Sequence, residues 1–260
     1  MPKYFDVHSH LHAPQYDADR EEVIKRMVDA GTNTILVGTD LEDSKRAVEI
    51  AEKHDGMYAT IGIHPVDDTT RVFDELTFSK LVTNPKVVAI GECGLDFFHA
   101  KKEDDFERQK KLFIDQINFA LKHKKPLMIH ARNAYEELFE ILSDFKGLSG
   151  NIHFFAGSWE QAEKLIGLGF TLSFTGVITF PPKADQPMAD TIEVIKKMPL
   201  DKILAETDSP YVAPVLYRGK RNEPAYVSEV VKRIAEIRGE DLEVVRETLV
   251  ENVFRSFGLK

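Results

Sequence analysis

The segment KYFDVHSHLH, Lys3 to His12, passes within ten residues from a buried-strand pattern to histidine at every second position. Aromatic and β-branched residues mark "KYFDV" as a strand. In a strand, side chains two apart share a face, so His8 and His10 can converge on one point where the strand ends. Whether such a pair carries chemistry depends on what the remaining chain brings to the same place.

Seven further short apolar runs follow: Asn33–Gly38, Met57–Pro65, Lys86–Glu92, Lys125–Ala131, Gly150–Gly157, Gly169–Gly176 and Asp201–Asp208. With Lys3–His10 they make eight strand candidates. Helical periodicity fills the intervals. In "FERQKKLFIDQINFALKH" the stripe Phe106, Phe113, Ile117 and Leu121 is apolar and the other face charged. "SWEQAEKLIGLG" opens with a capping box, Ser158 and Gln161, and closes at Gly169. Regular alternation of buried strand and amphipathic helix predicts parallel strands joined by right-handed crossovers. Eight such units in about 250 residues predict an α/β fold, a (β/α)8 barrel. A doubly wound open sheet competes, but no glycine-rich phosphate loop follows the first strand. The tail from Glu223 supplies two extra C-terminal helices, and the expectation is a single domain over 1–260.

Composition is that of an ordinary soluble protein. The 260 residues are 43% hydrophobic and 30% charged, a balance that disfavours disorder. No apolar run spans a bilayer and no basic leader precedes the first strand, so the expected location is the cytoplasm, with no membrane partner. A lone cysteine, Cys93, excludes an internal disulfide and reads as a small buried hydrophobe. A net charge of −9 argues against a broad basic face for duplex DNA. It leaves room for a phosphate held by cations in a cleft.

In a barrel of this kind chemistry sits at the C-terminal strand ends. His8 and His10 end the first strand, His64 the third, Glu92 the fourth, His130 the fifth, His153 the sixth and Asp208 the eighth. Imidazoles and carboxylates together are ligands for divalent metals. Two cations about 3.5–4 Å apart need a shared acidic ligand and a bridging water. Glu92, between the two histidine groups, is the natural bridge, with His8, His10 and Asp208 on one ion and His130 and His153 on the other. The bridging water becomes the nucleophile, and Asp208 orients it or takes its proton.

"DVHSHLH", "IGIHP", "AIGECGLDF", "PLMIHAR", "HFFAG", "ETDSPY" and "RGKRNEP", spread from end to end of the chain, resemble the TatD family of metal-dependent deoxyribonucleases, within the amidohydrolase superfamily. The resemblance implies a magnesium- or manganese-dependent nuclease, with zinc also compatible, that trims DNA from the 3′ end at single-stranded or frayed termini. It places metal ligands on His8, His10, Glu92, His130, His153 and Asp208, and His64 against substrate phosphate. Departures are modest. The histidine often found after "GIHP" is absent, Asn133 stands where aspartate is common, and Phe154 and Ala156 replace a frequent cysteine and serine.

A local basic patch accompanies these motifs: Arg218, Lys220 and Arg221 in the loop after the eighth strand, expected to be free to meet a phosphate backbone, and Arg132 beside His130. Glu206 is expected behind the ligands, fixing a histidine tautomer. Asp6 reads as structural, Asp96 as a support for the loop after Glu92, and His12 as pocket wall. His54 and His123 sit near helix ends and need no function, and His99 reads as surface. Two rivals stand beside the nuclease: a hydrolase of an aminoacyl-tRNA ester or small amide or lactone, and a non-catalytic binding protein on the same fold. Bridging lysine, common in amide-hydrolysing barrels, has no counterpart at a strand end here.

Overall fold

The computed structural model describes residues 1–181 and 188–260. Its elements alternate as β1 (Tyr4–Ser9), α1 (Arg20–Asp29), β2 (Thr32–Val37), α2 (Leu41–Lys53), β3 (Met57–Ile61), α3 (Glu75–Leu81), β4 (Val87–Asp96) and α4 (Lys102–His123). The second half continues with β5 (Leu127–Arg132), α5 (Tyr135–Ser143), β6 (Gly150–Ile152), α6 (Trp159–Gly167), β7 (Thr171–Phe174), α7 (Met188–Lys197), β8 (Ile203–Ala205), α8 (Val227–Arg238) and α9 (Leu242–Phe257). All strand pairings are parallel and in chain order from β1 to β8. Closure comes from the segment after β8. Ser9 bridges Ser209, the amide of His10 donates to Ser209 O at 2.7 Å, and that of Asp208 donates to His8 O at 2.9 Å. The buried Asp6 carboxylate fastens the seam by accepting from the Thr207 amide at 2.8 Å and its hydroxyl at 2.5 Å.

Phe5, Val7, Ile35, Val37, Met128 and Leu204, contributed by four strands, pack with Val250, Val253 and Phe257 of α9. Strands on opposite sides can share one cluster only along the barrel axis, so α9 stoppers the barrel at the end away from the histidines. A larger cluster fills the layer between strands and helices. The capping box on α6 forms as expected, Ser158 and Gln161 bonding reciprocally, and Phe113 and Ile117 of α4 are fully buried.

Two strand readings need correction. Simple alternation in β1 fails because its pairing with β2 slips by one residue between Asp6 and Ser9. That bulge changes the parity, so Val7 joins the barrel core while the adjacent His8 also faces the interior. The fourth strand runs on past Glu92 to Asp96, with a second slip between Ile90 and Cys93, so Glu92 lies within a strand and not at its end. The sixth and eighth strands are shorter than their apolar runs, yet their continuations stay bonded: His153 N donates to Ile129 O and Glu206 N to Phe174 O.

Candidate metal centre

The seams and bulges deliver the polar side chains to one cleft of about 630 Å³. Glu92, 4% exposed, lies at its floor with the two carboxylate oxygens turned to different partners. Oε2 is 3.4 Å from His8 Nε2 and 4.0 Å from His10 Nε2. Oε1 is 3.0 Å from His130 Nδ1, 3.3 Å from His153 Nε2 and 3.6 Å from His64 Nε2. Asp208 Oδ1 adds a fourth atom to the first group, 3.7 Å from His8 Nε2 and 3.6 Å from His10 Nε2, and those two nitrogens are 3.2 Å apart.

These spacings fit a metal better than a hydrogen-bond network. Ligand atoms about 2.1 Å from one ion lie roughly 3.0–3.4 Å apart around it. Several first-group separations exceed a good hydrogen bond while pointing at a common centre. The fully buried His8 also has no hydrogen-bond partner for its Nδ1 among the described residues. The residues therefore fit divalent cations, and the described residues contain two separate donor groups sharing Glu92, one with His8 and His10 and one with His64 and His130.

A second layer holds the imidazoles. Glu206, fully buried, faces His153 Nδ1 at 3.1 Å and accepts from the Phe154 amide at 2.7 Å and Ser173 Oγ at 2.5 Å. His8 and His153 stack with ring centroids 3.7 Å apart. His130 Nε2 lies 3.0 Å from Asp96 Oδ2, a buried carboxylate that also accepts from the amides of Phe98 and His99 and meets His99 Nδ1 at 2.8 Å. Asp96 does support its loop, but its contact with His130 was not anticipated. With β4 read to its true length, alternation from Glu92 through Gly94 would have placed Asp96 on the same face. His12 lines the cleft and is held by Asp43 at 2.9 Å, and Asp67 sits 2.7 Å from His64 Nδ1.

The charges are strongly coupled. Burial alone would raise the Glu92 carboxyl, but the charges of His153, His8 and His64 and the His130 hydrogen bond hold it well below the usual range. Burial opposes protonation of His10, yet Asp208, Glu92 and Asp43 outweigh it and raise this imidazole to about 9. His153 is likewise raised well above its ordinary value, against burial, by Glu206 and Glu92, whereas burial and the neighbouring His153 lower His8.

The basic loop departs from expectation. Arg221 is not free: it makes a two-pronged pair with Asp19 at 2.9 and 2.6 Å, donates to Gln15 O and covers the Tyr16 ring. Two planar forks satisfied by one carboxylate explain why this charge turns inward toward α1. Arg218 stacks over Phe180, and neither it nor Lys220 lines the cleft. Arg132 does line it, exposed and paired with no carboxylate among the described residues, its guanidinium 3.9 Å from the Phe98 ring.

A barrel with this centre matches, over residues 5–258, the family described as TatD related DNase. The chain belongs to the TatD family. It is 41% identical over 257 residues to a relative from Bacillus subtilis, the uncharacterized metal-dependent hydrolase YabD, covering 97% of this chain and 98% of that one. The 3′-5′ ssDNA/RNA exonuclease TatD of Escherichia coli is 32% identical over 263 residues, covering 98% and 99% of the two chains. Among solved structures, the TatD homolog YJJV of Escherichia coli superposes with a TM-score of 0.89 at 29% identity, over 99% of both chains. No helix among the described residues is long and apolar enough to cross a membrane.

Proposed function

We propose that this TatD protein is a cytoplasmic two-metal phosphodiesterase that removes nucleotides from the 3′ end of single-stranded DNA. The observation that carries the reading is the buried Glu92 carboxylate, whose oxygens face separate imidazole groups. In this reading His8, His10 and Asp208 hold one ion, His130 and His153 the other, and Glu92 both. Magnesium or manganese at both positions would polarise the scissile phosphate and acidify water, and zinc also suits the nitrogen-rich set.

The protein's own groups do the rest. Asp208, at the open side of Glu92, accepts the proton of the attacking water. Arg132 and His64 meet the non-bridging phosphate oxygens, and Arg218 and Lys220 attract the strand further out. Asp96 and Glu206 keep His130 and His153 in the tautomers that direct their other nitrogens at Glu92. Among the described residues no lysine lines the cleft, which supports glutamate as the bridge over an amide-hydrolysing arrangement.

Metal-stripped protein resupplied with magnesium, manganese or zinc and given 5′-labelled single-stranded DNA tests the proposal. A ladder shortening from the 3′ end, lost in Asp208→Ala, is expected. No cleavage with metal bound would overturn it in favour of ester or amide substrates.

Three further outcomes are expected. Asp96→Asn removes the carboxylate behind His130 and should weaken metal binding by about 10- to 100-fold in a competition titration. Metal must displace the proton that His10 retains up to about pH 9. Apparent metal affinity should therefore climb between pH 6.5 and 9, with proton release in buffers of different ionisation enthalpy. The sign for folding is opposite: a raised imidazole pKa stabilises metal-free protein below pH 6.5, and that contribution fades as pH rises through about 9. Arg132→Ala should raise KM about tenfold, less so at high salt, whereas Arg221→Ala should leave KM near its original value and lower stability by about 1–2 kcal/mol.

A further inference from the structure

A second cavity of about 380 Å³ opens beside the metal cleft, sharing with it His130, Arg132, His153 and Phe154. His130 and His153 are the imidazoles facing Glu92 Oε1, so the cavity adjoins that side of the centre. Its own walls are Phe98, Ala131, Tyr135 and Ala156, with Asn133 at the rim. Aromatic and small apolar walls, with Arg132, Asn133 and the two imidazoles placed around them, give the recess the character of a site for a flat heterocycle.

Three details sharpen the match. Phe98 is 59% exposed although large and aromatic, and the Arg132 guanidinium lies on it, forming a stacked platform with no opposing carboxylate. The exposed Asn133 amide has no hydrogen-bonding partner among the described residues, and its backbone is held in the left-handed region at φ 56°. A free amide offers both a donor and an acceptor to a base edge. Asn133, Phe154 and Ala156, three of the positions at which the motifs depart from the family pattern, line this recess.

We infer that the recess is a nucleobase site: it takes the unpaired terminal base of the strand whose last phosphodiester lies at Glu92, stacking it against Phe98 and Arg132 while Asn133 meets its edge. Aromatic rings and guanidinium planes are common stacking surfaces for single-stranded bases. The inference rests on the phosphodiesterase reading for its choice of ligand. It adds that the terminal base must leave its partner strand before the bond reaches the metals, and that removal proceeds one nucleotide at a time.

The test uses stacking, not cleavage, as its readout. Full-length metal-free protein is titrated with single-stranded DNA carrying 2-aminopurine, whose fluorescence falls on stacking, either at the 3′ terminus or four nucleotides inside. Quenching at the terminus, with affinity reduced about tenfold in Phe98→Ala and retained in Phe98→Trp, is expected. Phe98 is exposed, so neither change threatens folding. Equal quenching at both positions, or quenching indifferent to Phe98→Ala, would overturn the assignment. A strand that binds with its terminal base quenched but is never cut with any metal would overturn the hydrolysis reading and leave the recess a base site.

Discussion

Glu92→Gln is expected to abolish hydrolysis, with a rate loss on the order of 10³-fold or more, and to lower the bound metal measured by elemental analysis. The exchange preserves shape but puts an NH₂ group where one of the two oxygens stood. That group cannot ligate, and it faces imidazole nitrogens 3.0–4.0 Å away on whichever side it points. Either donor group then loses its shared atom. The carboxylate's charge also disappears from the middle of the imidazole cluster that holds it well below the usual carboxylate range. Asp208→Asn, by contrast, leaves both groups with Glu92, so it should retain more metal while losing activity. A Glu92→Gln protein with two tightly held ions and ordinary activity would remove the basis for the bridging assignment.

The second large effect concerns folding. Gly94→Ala should destabilise the barrel by about 3 kcal/mol or more, from overpacking combined with an unfavourable backbone conformation. At φ 137°, a Cβ on Gly94 would lie 2.0 Å from His130 O, and one on Gly91, at φ 147°, would lie 2.2 Å from Met128 O. Both obstacles are backbone carbonyls of β5, so no rotamer change relieves them. The strand would have to move, and with it Glu92 between the two glycines. At roughly 2–4 °C per kcal/mol for a chain this long, thermal unfolding should show a fall of at least about 6 °C. An unchanged melting temperature would mean that β4 and β5 tolerate separation.

These two experiments probe the part of the molecule that was hardest to read. The eight strands were legible because each is a short buried run between amphipathic helices, and the donors other than Glu92, which lies within β4, followed from their places near strand ends. The parity of β1 was not legible. A bulge is a property of pairing between two strands, and nothing in "FDVHSH" alone distinguishes a slip after Asp6 from regular alternation. The length of β4 was missed for a related reason, because "CGLD" carries two strand-weakening residues and reads as loop until its pairing with β5 is seen. Arg221 was misjudged as free because its partner, Asp19, stands two hundred positions away. Nothing in the sequence around Phe98 marks it for a use, and only the cavity beside it suggests one.

The seam between β1 and the segment after β8 bears on how the protein is made. Asp6 finds its partners across the seam in Thr207, and the first proposed ligand pair, at His8 and His10, gains its second carboxylate only with Asp208. A chain growing on the ribosome therefore has neither the closing seam nor the last of the proposed ligands until the segment after β8 has been made. Ring closure and completion of the proposed donor set rest on the same short segment, Thr207 to Ser209, so a nascent fragment that ends before it has neither.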